Sequence, residues 1–273
     1  MKIGFSMEAD TEQQSLSEVV SATNTDEETP VRSVVTVLFE NGKEYPYYND
    51  CFCLHIGDFV YVEGKLAGLL GRIVDYTEEF CVNLKYYKRV IQKVTAKING
   101  TFQKLGCYLI SNDCTVLPPA QIKPWFYPPQ NSNEQDEFVY GKGISLTLKN
   151  FAEMDNHKTG TAYRNGIDAY YDNFLRYLSF DGKNGFAVVK TENEPTDYVT
   201  VTFQLEDGQI HTAFCTCITP GYCSHLSTVI YAMFVFLKNE YLQTGNGGFV
   251  VIQNSVFEKF VSADSIKITV ENH

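Results

Sequence analysis

Residues 214–226 read FCTCITPGYCSHL, so Cys215, Cys217, Cys223 and His225 fall inside one short stretch. Their pattern is Cys-x-Cys, five intervening residues, then Cys-x-His. Three thiolates and one imidazole suit tetrahedral Zn2+, and soft sulfur disfavours Mg2+ and Ca2+. Cys215 and Cys217 are expected at the end of a strand, where residues two apart point to one face and both sulfurs can reach one atom. Pro220 and Gly221 follow as a turn signal that reverses the chain. Cys223 and His225 then stand at the entrance to a helix, whose N-terminus favours anionic sulfur. Protein atoms fill all four positions and leave none for water or substrate. The chemistry expected is therefore one structural zinc per chain.

Other reactive residues are less favourably spaced. In DCFCLHIGD, residues 50–58, Cys51, Cys53 and His55 alternate. On a strand they would share one face, with Phe52, Leu54 and Ile56 turned to a core. No fourth ligand is near in sequence, so exposed strand thiols are expected there. Cys107 and Cys114 are conceivable nucleophiles, but no local base supports them. His211 is expected on a strand surface, and His157 and His273 lie in polar surroundings. The sequence has no phosphate-binding G-x-x-x-x-G-K-[ST] run, no H-E-x-x-H, no G-x-S-x-G and no strand-borne G-x-G-x-x-G. Between Cys81 and Asn112 there is no acid, yet Lys85, Lys88, Arg89, Lys93, Lys97 and Lys104 occur. Lys85, Lys88, Arg89 and Lys93 are the candidate nucleic-acid contacts, since phosphate binding needs positive charge. On a strand they would not share one face, and a solvated strand explains them equally well.

These residues need elements to position them. VRSVVTVLFENGKEYPYYN is β-branched and aromatic around an NGK turn signal. IGDFVYVEGKLAGLLGRIVDY and FCVNLKYYKRVIQKVTA add strands with glycine turns between them. Such short strands predict a small curled barrel. Residues 98–116 continue in β-like texture. LPPAQIKPWFYPPQNSNEQDE carries Pro118, Pro119, Pro124, Pro128 and Pro129 and reads as a linker, with Trp125 and Phe126 docking it onto a domain. YRNGIDAYYDNFLRYL spaces Ile167, Tyr170, Tyr171, Phe174 and Leu175 as a helix does. RYLSF, FAVVKT, DYVTVTFQL and QIHTAFCTC then read as strands separated by DG-type turns. After the cysteines, Leu226, Val229, Ile230, Met233, Phe234, Leu237 and Tyr241 form a core-facing helical stripe ending near Gly245. The last residues read as strand, short helix, strand.

A hairpin ending in Cys-x-Cys, followed by Cys-x-His and a helix, resembles the SWIM zinc finger. Cys215, Cys217, Cys223 and His225 match its four ligands. The upstream helix with Gly166 and the pair Tyr170-Tyr171, then DG turns, is similar to the segment preceding this finger in bacterial proteins. The resemblance covers about residues 160–240. It implies a zinc-bound ββα unit, found beside ATPases, transposases and signalling proteins and serving DNA or protein contacts, with no catalysis of its own. No ATPase half is present, so no remodelling activity is implied. Gly57-Asp58 and Gly71-Arg72-Ile73-Val74 resemble turns of SH3-like barrels.

The expected fold class is therefore α+β: a small SH3-like β-barrel, then a SWIM domain with antiparallel strands and a ββα finger. The expected division is a flexible acidic tail at 1–30, the barrel at 31–116, a Pro-rich linker at 117–137, the SWIM domain at 138–245 and a strand/helix extension at 246–273. Hydrophobic residues make up 44% and charged residues 20%, which suits a folded core. No apolar run reaches the roughly 18 residues of a membrane helix, and the first residues turn acidic at once, unlike a secretory signal. A cytoplasmic protein is expected, with no membrane partner and no small-molecule substrate. Eight cysteines in 273 residues are too sparse for a disulfide scaffold, and the cytosol is reducing. The net charge of −11 argues against a whole surface built for nucleic acid. The expected function is a zinc-stabilised, non-catalytic interaction module with protein partners. The alternative is DNA binding through the finger or the basic 85–104 stretch.

Overall fold

The strand Ser33–Phe39 (β1) carries valines at 35 and 37 that are fully buried, so its alternation is set by one inward face. It turns at Gly42, whose φ of +74° is open to glycine, into Glu44–Asn49 (β2). The other edge of β1 pairs with Gly71–Thr77 (β4), which pairs with Phe59–Val62 (β3). Lys88–Lys93 (β5) lies between β2 and β3, parallel to β2 and antiparallel to β3. The order β1-β2-β5-β3-β4 closes into a barrel around Val35, Val37, Phe39, Tyr47, Val60, Val62, Ile73 and Val90. At Gly71 a Cβ would stand 2.3 Å from a Val37 methyl, so β1 and β4 approach this closely only because that position is glycine.

The structure is a computed structural model and describes residues 32–78, 84–129, 146–147, 160–192, 197–207, 209–219, 221–261 and 267–269. The tail expected at 1–30 lies outside the described residues, as do His157 and His273. The fold is mixed α+β, with the closed barrel and a second sheet. That sheet uses Thr101–Leu105 (β6), Tyr108–Ser111 (β7), Leu146–Thr147 (β8), Leu175–Phe180 (β9), Asn184–Lys190 (β10), Tyr198–Glu206 (β11), Gln209–Cys215 (β12), Phe249–Gln253 (β13) and Lys267–Thr269 (β14). Among the described residues these nine strands run in the order β14-β6-β7-β13-β9-β10-β11-β12-β8. All neighbours are antiparallel except β14 and β6. β6 and β7, from the last part of the 31–116 segment, thus belong to this sheet. So does β13, from the 246–273 segment. Its FVVIQ sequence is buried throughout and lies between β7 and β9, as expected of an uncharged central strand.

One face of the sheet is covered by Gly160–Tyr171 (α2) and Ser224–Phe236 (α3). Leu226, Val229, Ile230, Met233 and Phe236 of α3 pack there on Leu178, Phe180, Ala187, Val189, Val201 and Phe203. The stripe read as one helix to Tyr241 is interrupted, because the Asn239 side chain accepts the Tyr241 N–H and caps a new turn, Glu240–Gln243 (α4). The opposite face is covered by Pro119–Phe126 (α1) and Asn254–Phe260 (α5). A helix therefore stands where the prolines predict an extended linker. Pro119 sits in the first turn, where a missing N–H costs nothing, and Pro124 leaves unbonded only a carbonyl in the exposed first turn. Ile122 and Trp125 anchor α1 by burial. Phe59 and Tyr61 of the barrel join the same apolar layer, with the Phe59 and Phe260 rings 5.4 Å apart. Among the described residues, no helix is long and apolar enough to cross a membrane.

Candidate metal centre

β11 and β12 form the hairpin that carries the first ligand, with Val201 opposite Cys215. Cys215 is the last residue of β12. Cys217 lies beyond it in the turn, so the two sulfurs converge through the bend after the strand rather than by strand alternation. Gly221 adopts φ +83° in the reversal that follows. Cys223 is the N-cap of α3, and its sulfur accepts the Leu226 N–H at 3.4 Å. His225 follows in the first turn. The three Sγ atoms and one imidazole nitrogen lie within 4.8 Å of one another. Such a set could hold one metal ion, and its composition is compatible with zinc and with a zinc finger. The His225 Nδ1 is buried and has no hydrogen-bond partner. The His225 ring hydrogen-bonds Cys223, so its imidazole faces the sulfurs.

The electrostatics of the four groups are linked. Hydrogen bonding to Cys223 pushes the Cys215 thiol up, and burial adds to this. Burial, then the nearby Cys223 charge, raises Cys217. Cys223 moves the other way: the Cys215 thiol, the His225 ring and the Leu226 N–H all stabilise its thiolate. One sulfur is thus prepared as an anion at the helix start, and two retain protons that a metal would displace.

The site is tied to α2 behind it. The Tyr222 hydroxyl donates to Ser227 Oγ at 3.1 Å, and Ser227 Oγ donates to the Tyr163 carbonyl at 3.4 Å. Thr228 Oγ1 is 3.0 Å from the Gly166 carbonyl. At Gly166 a Cβ would stand 2.3 Å from Ser227 Cβ and 2.8 Å from the Ser224 carbonyl, so α2 crosses α3 at the turn that holds His225.

The other candidates are dispersed. Cys51, Cys53 and His55 lie in a loop rather than on a strand, and the candidate metal cluster does not include them. Asn49 takes the Phe52 N–H on Oδ1 and donates from Nδ2 to the Phe52 carbonyl, and Asp58 accepts the His55 N–H at 2.8 Å. These side-chain bonds bend the chain and replace the ladder. Phe52 and Leu54 still pack on the barrel core, but Ile56 is 61% exposed. Lys93 Nζ is 2.7 Å from the buried Asp58 carboxylate and donates to the Cys53 carbonyl at 2.6 Å. Arg89 lies 3.5 Å from Asp50 and over the Tyr48 ring. Lys88 is exposed on β5, Lys85 falls in the short turn Leu84–Tyr86, and His211 is exposed on β12.

A cleft of about 840 Å³ lies over the outer face of β10 to β12, lined by Cys114, Pro118, Phe186, Thr202, Gln204 and Phe214, with Asp181 at its border. The sequence carries no signal for it, because alternating Thr and Gln on a strand is the pattern of any solvent face. Burial raises the Asp181 pKa, but hydrogen bonds from Asn184 and Lys183 outweigh it and hold the carboxylate low. That carboxylate is engaged in its own turn. No protein-family model, curated protein or solved structure matches this chain.

Proposed function

We propose that this chain is a zinc-dependent interaction module of SWIM type, with protein partners and no catalysis of its own. The observation that carries this is the closed set at Cys215, Cys217, Cys223 and His225, whose ligand atoms lie within 4.8 Å of one another. Four protein ligands leave no coordination position for a substrate, which supports a structural zinc. The finger then comprises β11, β12 and α3, and the SH3-like barrel is a second module beside it. Lys93 and Arg89 each face a carboxylate, which favours protein over DNA as the partner.

Metal analysis of the purified full chain should return one zinc per chain. Cys217→Ser should lose it and unfold the helical face of the sheet, because structural zinc supplies folding free energy on the order of 10 kcal/mol. A folded wild-type chain without bound metal would overturn the reading. A mobility-shift assay with duplex DNA at low salt should show no retardation. Retardation that weakens steeply with salt would restore the DNA alternative.

A further inference from the structure

A pair of cations on the outside of the barrel involves none of the candidate metal residues. Arg72 on β4 is exposed, and it stands opposite Leu38 on β1 and Phe59 on β3. Direct partners across a ladder share a face, so the three side chains form one row. The Arg72 guanidinium carbon lies 6.0 Å from the centre of the Phe59 ring. Lys259 on α5 is exposed too, with its Nζ 5.3 Å from that centre and 4.9 Å from the centre of the Phe260 ring. Two cations thus share one aromatic ring.

The acids beside them are engaged elsewhere. Asp58, next to Phe59, is 2.7 Å from Lys93 Nζ and accepts the His55 N–H at 2.8 Å. Glu258, next to Lys259, accepts from Asn254 Nδ2 at 2.7 Å. Among the described residues, no carboxylate pairs with Arg72 or Lys259. Like charges held at one ring repel, and an anion beside both relieves that. The sequence carries such anions within reach. Residues 26–28 read Asp-Glu-Glu and lie outside the described residues. Glu28 is five residues from Ser33, where β1 starts, an extended span of about 17 Å. Leu38, opposite Arg72, is five residues along β1 from Ser33, which is also about 17 Å at the rise of a strand. Glu28 can therefore return to the row of Arg72, and Asp26 and Glu27 reach further.

We propose that the Arg72–Lys259 patch is a docking surface for carboxylates, and that Asp26, Glu27 and Glu28 of the same chain occupy it. The net charge of −11 repels a polyanion from outside, whereas a tethered segment has a high effective concentration at the patch. Occupancy within the chain keeps the patch closed to an acidic partner until that partner displaces the segment.

The test couples carboxylates to lysines in the purified full chain with a water-soluble carbodiimide and reads the joined peptides by mass spectrometry. Lys259 should join to residues 26–28 in higher yield than exposed Lys88, although the register places Lys88 nearer the start of β1. A mixture of nitrogen-15 and unlabelled chains separates joins within one chain from joins between two, and the former should dominate. Arg72→Gln should lower the Lys259 yield about threefold, the scale of one exposed ion pair. Thermal melting checks that this variant is folded. In about 1 M salt, where the screening length is about 3 Å, the wild-type yield should fall further, and this arm needs no variant. A Lys259 yield no greater than that of Lys88, or one unchanged by salt, would overturn the proposal. Joins found only between chains would overturn it too, by giving the patch to a second copy.

Discussion

Cys223 stands both at a helix cap and in the candidate metal cluster. Its sulfur caps α3 by accepting the Leu226 N–H, and it is one of the four clustered ligands. A helix start offers unpaired N–H groups and a favourable dipole, so a thiolate is more stable there than in open chain. Cys215 and Cys217 lack that advantage and are raised by Cys223 and by burial, respectively. The sign of the pH dependence follows. Metal binds thiolate, and two protonated thiols must release their protons as it enters. Affinity should therefore rise with pH, by about tenfold per unit for each proton displaced. A competition titration should find zinc binding about 100-fold tighter at pH 7 than at pH 6. Equal affinity at the two values would mean that these thiols are not the ligands.

At the scale of elements, α2 packs on α3 directly behind the turn that carries Cys223 and His225. Gly166 lets the helices approach at the turn holding Ser224 and Ser227. Gly166→Ala should cost about 1–3 kcal/mol through overpacking, despite the better helix propensity of alanine. Denaturant unfolding would measure it, and an unchanged or raised midpoint would show that the helices separate freely. The Cys215, Cys217, Cys223 and His225 cluster was legible in sequence because all four residues are local and their spacing is that of a candidate metal site. The hairpin before them and the helix after them were legible from alternation and from the 3.6-residue stripe. Elsewhere local signals yielded to neighbours. Cys51 to Asp58 alternates like a strand, but Asn49 and Asp58 bind its backbone and hold a loop. The proline-rich stretch forms α1 because burial of Ile122 and Trp125 outweighs the proline at position 124. The pairing of β13 with β7 and β9 joins distant parts of the chain, and periodicity does not encode which strands become neighbours.

The apolar layers of the molecule differ in how closely they approach the four clustered residues. The barrel closes on its own core, from Val35 to Val90. The α2–α3 layer reaches the metal cluster directly, and Cys215, Cys217 and Cys223 pack into it. Between them lies the layer of Tyr61, Trp125, Tyr177, Ile252 and Phe260, which joins barrel to sheet without touching a ligand residue. Removing the metal should therefore loosen the molecule from one side. Local opening follows the units that lose their contacts, and units with separate cores keep their protection. Hydrogen–deuterium exchange after chelation should show faster exchange in α3, α2 and β12, with β1 and β4 unchanged. Trp125, the single tryptophan, is buried against Phe260 and should keep its emission maximum. Uniform loss of protection, including the barrel strands, would instead make zinc the keystone of one cooperative unit. The barrel could not then be a module with its own stability, and the two-module reading would fail with it.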